Sequence, residues 1–290
     1  MNTILVPTDF SENANNALEY AAKIADTYQA SIVLLHVYTP MVSRINAVGA
    51  LLTDEVADAR KNAMEKLTII KTTLESEFTG ITCNPEVTVG EPVTEILRQA
   101  TVASIDLIVM GTLGASNLTK SLFGSNTAAV VEKSSCPVLC VPARCSFKKP
   151  ERILFATNFS YDDTEGIVKL SRLARAFKSR IIVGHVDTSV TSDEDEGLEN
   201  SMQNFIKEAE RKSQYGNFDY KIVEDHNVSM GLDAIIQENQ IDMVALSTHK
   251  RNFFEKFYNP SLSKKLSLYT DIPLVVFQNP PDQEKTGTDF

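Results

Sequence analysis

Gly111, Gly114 and Gly124 are three of the chain's twelve glycines, and Ser125, Asn126 and Thr127 follow directly in the run GTLGASNLTKSLFGSNT. Glycine lets the backbone take positive φ and approach a ligand closely. Successive N–H groups in such a turn can form a concavity for an anion. Ser125 and Thr127 add hydroxyl donors, and a helix that starts near Ser125 turns its positive end to the same point. A polyphosphate suits that chemistry. The same residues also suit a strand terminator at Gly111 followed by a plain turn and helix cap at Gly124 and Ser125. The G-x-x-x-x-G-K-[ST] spacing of a P-loop and the G-x-G-x-x-G spacing of a dinucleotide fold are both absent.

The elements that must hold this segment follow from an internal repeat. Residues 4–39 align without a gap on 153–188 at an offset of 149 (153 − 4), with Thr8/Thr157, Phe10/Phe159, Ser11/Ser160 and His36/His185 identical. A second block pairs DLIVMG from Asp106 with DMVALS from Asp242 at an offset of 136 (242 − 106), so the second copy is shorter in its middle. Each copy alternates strand-like runs (TILVPT, SIVLLHVY, NPEVTV, DLIVMG and CPVLCVP in the first) with helical ones. Ser11 is placed to cap a helix whose Ala14, Ala17, Leu18, Ala21 and Ala25 recur at helical spacing. Val56, Ala59, Ala63, Leu67, Ile70, Leu74 and Phe78 step along a second, long helix. GEPVTEILRQATVAS opens a third, with Pro92 in its first turn. The second copy reads RILFAT, a helix from about Ser160, RIIVGHV, a helix near 194–213, YKIVE, GLDAIIQEN, DMVALS, SLSKKLSLY and IPLVVF. Such alternation predicts an α/β fold of two tandem open parallel-sheet domains. They span 1–146 and 151–281, joined at PARCSFKKPE and followed by a polar tail, 282–290.

Composition narrows the functional classes. At 43% hydrophobic and 23% charged residues the chain reads as an ordinary globular protein. A net charge of −10 disfavours nucleic acid, whose binding depends on clustered Lys and Arg. No run reaches the roughly 18–20 apolar residues of a membrane span, and the N-terminus lacks a signal-peptide pattern, so a cytoplasmic location is expected. Cys83, Cys136, Cys140 and Cys145 are too few and scattered for a disulfide framework, and they read as small hydrophobes rather than zinc ligands.

Gly111-x-x-Gly114, nine residues, then Gly124-Ser125, in company with ILVPTDFSENANNALEYA, LLHV, GEPVTEIL and CPVLCVP, resembles the universal stress protein family. The resemblance covers essentially the whole chain as a tandem pair. It implies a Rossmann-like, adenine nucleotide alpha hydrolase-like fold that binds ATP or a related adenine nucleotide, with Mg²⁺ bridging the phosphates. By resemblance Asp9 contacts the adenosine end, Val37 offers its backbone to adenine, and Pro7 and Thr8 line that wall. Met110 and Gly111 flank the ribose and α-phosphate with Thr112 beside them. Gly114, Gly124, Ser125, Asn126 and Thr127 hold the phosphates. The resemblance also implies pairing of last strands across a two-fold axis. In this chain the two halves can pair with each other, and a further homodimer stays open.

The second copy departs where the ligand would sit. Pro7 becomes Ala156, Asp9 becomes Asn158, Gly111 becomes Ser247, Gly114 becomes Lys250 and Gly124 becomes Pro260, while Ser125 matches Ser261. Proline has no N–H to donate, so the second half is expected to bind ATP weakly or not at all. The expected role is a nucleotide-regulated stress-response protein acting on a partner the sequence does not name. A slow ATP phosphohydrolase and a nucleotide-free dimerisation scaffold are the alternatives. His36 and His185, each at the end of a central strand, suit a structural hydrogen bond more than a general base. His249, Lys250, Arg251, Lys256 and the aromatics Phe253, Phe254, Phe257 and Tyr258 read as a lid over the altered pocket or a surface for a partner or an anionic lipid. Lys120 reads as a solvated side chain.

Overall fold

The computed structural model describes residues 1–40, 49–112, 124–159, 161–188, 195–248 and 271–278. The first half runs β1 (Thr3–Pro7), α1 (Glu12–Tyr28), β2 (Ser31–Tyr38), α2 (Gly49–Glu77), β3 (Thr82–Val89), α3 (Pro92–Val102), β4 (Leu107–Gly111), α4 (Ser125–Lys133) and β5 (Val138–Val141). The second runs β6 (Arg152–Ala156), α5 (Tyr161–Phe177), β7 (Arg180–Asp187), α6 (Asp195–Ser213), β8 (Phe218–Glu224), α7 (Val228–Glu238), β9 (Met243–Thr248) and β10 (Leu274–Gln278). The expected helix over SLSKKLSLY lies outside the described residues, as do Gly114, Lys120, His249, Lys250 and the aromatic run after them.

Within each half all strand pairs are parallel, as continuous apolar runs such as ILV and IVLL require when both faces are covered. The two halves form one sheet of ten strands, ordered β3-β2-β1-β4-β5-β10-β9-β6-β7-β8. The joint is antiparallel, with Val275 opposite Leu139 and Val276 opposite Val138. It covers the inner edge of each half, which would otherwise present unpaired backbone groups. The Gln278 amide donates to the Val131 carbonyl of α4 across the same joint.

Two cores sandwich the sheet, and each runs through both halves. One packs α1, α2, α5 and α6 against side chains such as Ile4, Val6, Ile153 and Phe155. The other packs α3, α4 and α7 against Leu5, Ile108, Leu154 and Val244. The predicted stripe on α1 is the buried one: Ala14, Ala17, Leu18, Ala21 and Ala25 all face the core. The Ser11 hydroxyl accepts the Ala14 N–H at 3.2 Å and starts that helix, and Gln29 ends it in the left-handed region at φ 53°. The expected start of α7 near Gly231 is corrected. The helix begins at Val228, because the Asn227 side chain accepts the Ser229 N–H at 3.0 Å. Gly231 is interior, and a Cβ there would lie 2.6 Å from a Val186 methyl. Burial pushes the Cys83 thiol up to about 11 and the Cys140 thiol up to about 12, as for small hydrophobes in a core.

Candidate functional site

The strand order reverses between β1 and β4: the chain leaves β1 for β2 on one side, and β4 lies beside β5 on the other. In open α/β sheets such a point leaves a crevice at the carboxyl ends of the strands. A cleft of about 150 Å³ lies there. Pro7, Thr8 and Asp9 line it from β1, Val37 from β2, Met110 and Gly111 from β4, and Gly124, Ser125, Asn126 and Thr127 from the start of α4. Those are ten of the twelve expected residues. Thr112 stands behind the wall, 9% exposed, where its N–H donates to the Val141 carbonyl at 3.0 Å and its carbonyl accepts from Gly124 at 2.5 Å. Gly114 lies outside the described residues.

The β1 end is a built turn. The Thr8 N–H donates to the Leu35 carbonyl at 2.8 Å, and the Thr8 hydroxyl oxygen accepts the Phe10 N–H at 3.0 Å. One Asp9 oxygen accepts the Ser11 N–H at 3.0 Å. These local bonds hold Phe10 at φ 63°, a conformation that a bulky residue keeps only when its surroundings require it. The Thr8 carbonyl faces His36 Nδ1 at 2.9 Å, so that nitrogen carries the proton, and the imidazole lies 4.5 Å from the Phe10 ring, centroid to centroid. Thr157, Phe159 and His185 repeat this arrangement, with the bond at 2.9 Å and the rings 4.7 Å apart. Both histidines are therefore structural props of a conserved-shape turn in this chain.

The β4 end offers donors. Gly124 occupies the N-cap of α4 with φ −64° and ψ 155°, and among the described residues no side chain caps the helix there. Ser11, Glu91 and Asn227 do cap α1, α3 and α7 with side-chain oxygens. The first N–H groups of a helix have no intrahelical acceptor, so α4 presents its own at the cleft together with the positive end of its dipole. Thr127 is 5% exposed and its hydroxyl donates to the Gly111 carbonyl at 2.8 Å, which ties α4 to the end of β4. Its hydroxyl therefore positions the helix, leaving Ser125 as the exposed hydroxyl of the first turn.

The expectation of positive φ is corrected at Gly111 and Gly124, since no glycine among the described residues has one. Close approach explains Gly111 instead. A Cβ there would lie 2.7 Å from the Asn13 amide nitrogen and 3.0 Å from the Asn13 carbonyl.

Five further residues line the cleft: Ala14, Leu35, His36, Pro92 and Ile96. Leu35, Pro92 and Ile96, with Val37 and Met110, give the cleft an apolar wall. His36 and Pro92 are signalled in sequence by their place at strand ends, and Ile96 only by its spacing one turn from Pro92 on α3. Among the described residues no group of three or more acids, histidines or cysteines is arranged to hold a metal.

Among the described residues of the second half, the counterparts of three cleft residues differ in identity or cover. Ala14 corresponds to Asp163 (14 + 149), which is 3% exposed. Its carboxylate accepts from the Thr157 hydroxyl at 2.7 Å and the Asn158 N–H at 3.2 Å. Gly111 corresponds to Ser247, whose hydroxyl rests over Gly166, only 1.8 Å from where a Cβ would stand. The first half has Ala17 at that helix position. Val186, the counterpart of Val37, is 8% exposed and is covered by α7 at Gly231.

The universal stress protein family model matches residues 1–142 and again 150–278. Universal stress protein MJ0577 of Methanocaldococcus jannaschii is 33% identical over 157 residues, 49% of this chain and 96% of its own. Universal stress protein YxiE of Bacillus subtilis is 31% identical over 145 residues, 48% of this chain and 98% of its own. A universal stress protein structure from Archaeoglobus fulgidus superposes with a TM-score of 0.72, covering 96% of this chain and 99% of that one. At 19% identity the last likeness bears on the fold alone.

Proposed function

The chain belongs to the universal stress protein family, and from that premise we propose that its first half binds ATP or a related adenine nucleotide as a regulatory ligand, while its second half serves as a degenerate pairing or partner-binding half. The observation that carries the proposal is the α4 N-terminus, which no side chain among the described residues caps, at a cleft on the reversal of strand order. An anion is the natural complement of such a terminus.

The cleft fits the two ends of a nucleotide. The wall of Leu35, Val37, Pro92, Ile96 and Met110 suits a planar base. Asp9 offers carboxylate oxygen to sugar hydroxyls from the β1 turn. The N–H groups of Ser125 and Asn126, with the Ser125 hydroxyl, receive phosphate oxygens. A divalent ion at the phosphates would take its remaining ligands from water and nucleotide oxygens, as Mg²⁺ commonly does.

The second half supports a one-site reading. A buried carboxylate stands at the place of Ala14, Ser247 replaces the close-approach glycine, and α7 covers Val186. The nucleotide then acts by favouring one state of the first half over another, which requires a partner that distinguishes the two. Isothermal calorimetry of the full chain with ATP, ADP, AMP and cyclic AMP tests the reading. A stoichiometry near one is expected for the preferred nucleotide. Two equivalent sites, or none at saturating concentrations, would sink it.

A further inference from the structure

The ten-stranded sheet ends in two outer strands, β3 and β8, and their free edges are protected unequally. Hydrogen bonds at the strand ends fix which backbone groups point outward. The Gly90 N–H donates to the Tyr38 carbonyl at 3.0 Å, so the even-numbered residues of β3 bond β2, and Cys83, Pro85, Val87 and Val89 face out. The Cys83 N–H donates to the Glu75 carboxylate of α2 at 2.8 Å, and Pro85 has no N–H to give. Two of the four outward positions on β3 therefore offer an incoming strand no donor.

On β8 the Asp225 N–H donates to the Asp187 carbonyl and the Asn217 carbonyl accepts from Ile181, both at 3.0 Å. The odd-numbered residues thus bond β7, and Phe218, Tyr220, Ile222 and Glu224 direct their N–H and C=O groups outward. Tyr220 occupies the register position of Pro85, since it lies opposite Val183 as Pro85 lies opposite Leu34 (34 + 149). The strand, FDYKIVE, contains neither proline nor glycine, and among the described residues no strand lies beyond it. The Tyr220 N–H donates to the carboxylate of its own neighbour, Asp219, at 2.9 Å, a local substitute for a strand carbonyl.

We propose that β8 pairs antiparallel with β8 of a second molecule of this chain, about a two-fold axis at Tyr220. In that register Tyr220 bonds Tyr220 of the other molecule and Phe218 bonds Ile222, which gives about six backbone hydrogen bonds. Asp219 and Lys221, both exposed, then stand opposite each other twice, in the closely spaced pairs that bond no backbone. The Asp219 carboxylate, 3.5 Å from Arg180 of its own molecule, exchanges the Tyr220 N–H for the ammonium of Lys221 across the axis. Moving the axis one residue sets lysine against lysine, and moving it two sets Lys221 against Val223, so charge selects the register. Lysine and aspartate on an edge strand ordinarily deter pairing, but here each neutralises the other. A two-fold contact closes on itself, and the guarded β3 edge gives no second point of growth, so assembly stops at two. The contact lies at the opposite end of the sheet from β3 and requires no nucleotide.

Sedimentation velocity of the full chain between about 5 and 500 µM tests the proposal. The expected result is a reversible monomer–dimer equilibrium with a Kd of about 1–100 µM, as suits a small interface. Tyr220→Pro, which gives β8 the guard that β3 has, should raise that Kd at least about tenfold. The Tyr220 N–H faces outward, where an edge strand accepts proline. Asp219→Lys and Lys221→Asp should each weaken the dimer by a similar factor, because each sets like charges opposite one another. An equimolar mixture of these two variants sets lysines against aspartates and should recover a heterodimer within about threefold of the native Kd. Circular dichroism checks that each variant is folded, and recovery in the mixture cannot come from a misfolded chain. A monomer throughout the concentration range overturns the proposal. So does a dimer indifferent to Tyr220→Pro and to both charge reversals, because another surface would then carry it. A mixture of folded variants that stays monomeric overturns the charge pairing, and assemblies larger than two overturn the guard assigned to β3.

Discussion

Replacing Ser125 by proline separates the role of the α4 N-terminus from its shape. Ser125 is the first residue of α4, where proline is tolerated because its missing N–H has no intrahelical acceptor. The residue before a proline must be extended, and Gly124 already has φ −64° and ψ 155°. Ser125→Pro should therefore leave the empty protein within about 0.5 kcal/mol of native stability. It removes one N–H and one hydroxyl from the proposed phosphate site. A hydrogen bond to a charged group contributes about 1.5–3 kcal/mol, so losing even one of the two should raise the nucleotide Kd roughly 10- to 150-fold. At a nucleotide concentration about 100 times the native Kd, binding stabilises the native protein by ~2.7 kcal/mol, and a complex weakened 30-fold contributes only ~0.9 kcal/mol. The ligand-induced rise in Tm should shrink by roughly 4–7 °C for a protein of this size. Differential scanning fluorimetry with calorimetric Kd values measures both quantities. An unchanged Kd in a variant of unchanged Tm would refute the claim that the α4 terminus binds the anion.

Two further outcomes follow from the second half and from α3. Gly166→Ala places a methyl 1.8 Å from the Ser247 hydroxyl and should destabilise by about 1–3 kcal/mol. Ser247→Gly in the same chain recreates the Ala17/Gly111 pairing of the first half and should restore most of the loss, so additive effects in urea melts would contradict the packing argument. The Glu91 carboxyl is held below the ordinary glutamate range, first by the Thr94 N–H at 2.7 Å and then by the Thr94 hydroxyl. A depressed folded pKa contributes stability that is complete above the unfolded value of about 4.3 and disappears as pH falls through the folded value. Glu91→Gln should therefore flatten the decline of Tm below that pH, and a profile identical to native would count against the cap.

The alternation of strands and helices was legible because apolar runs and helical stripes have distinct periods, and α1 carries both its cap and its buried face in plain view. The start of α7 was hidden, since Gly231 looks like punctuation yet serves packing against Val186. In the cleft, residues with chemical character stood out: Asp9, the glycines and the hydroxyls. Ala14, Leu35 and Ile96 did not, because an apolar wall has the same composition as a core. Asp163 was concealed for a related reason. Its meaning appears only once Ala14 is known to line the first cleft, and then the repeat offset identifies it directly.

The antiparallel joint of β5 and β10 has a consequence for how the two halves can differ. In a symmetric pair of separate identical subunits, any substitution appears twice, so a mutation that closes one pocket closes both. Here the two partners are encoded separately on one polypeptide and held at each other's edge by the intervening chain. Glycine can be kept at 111 while serine is placed at 247, and alanine kept at 14 while aspartate is placed at 163, without any loss of pairing. Covalent linkage thus releases the cleft from the symmetry of the assembly, and one half is free to diverge while its twin keeps the cleft's lining.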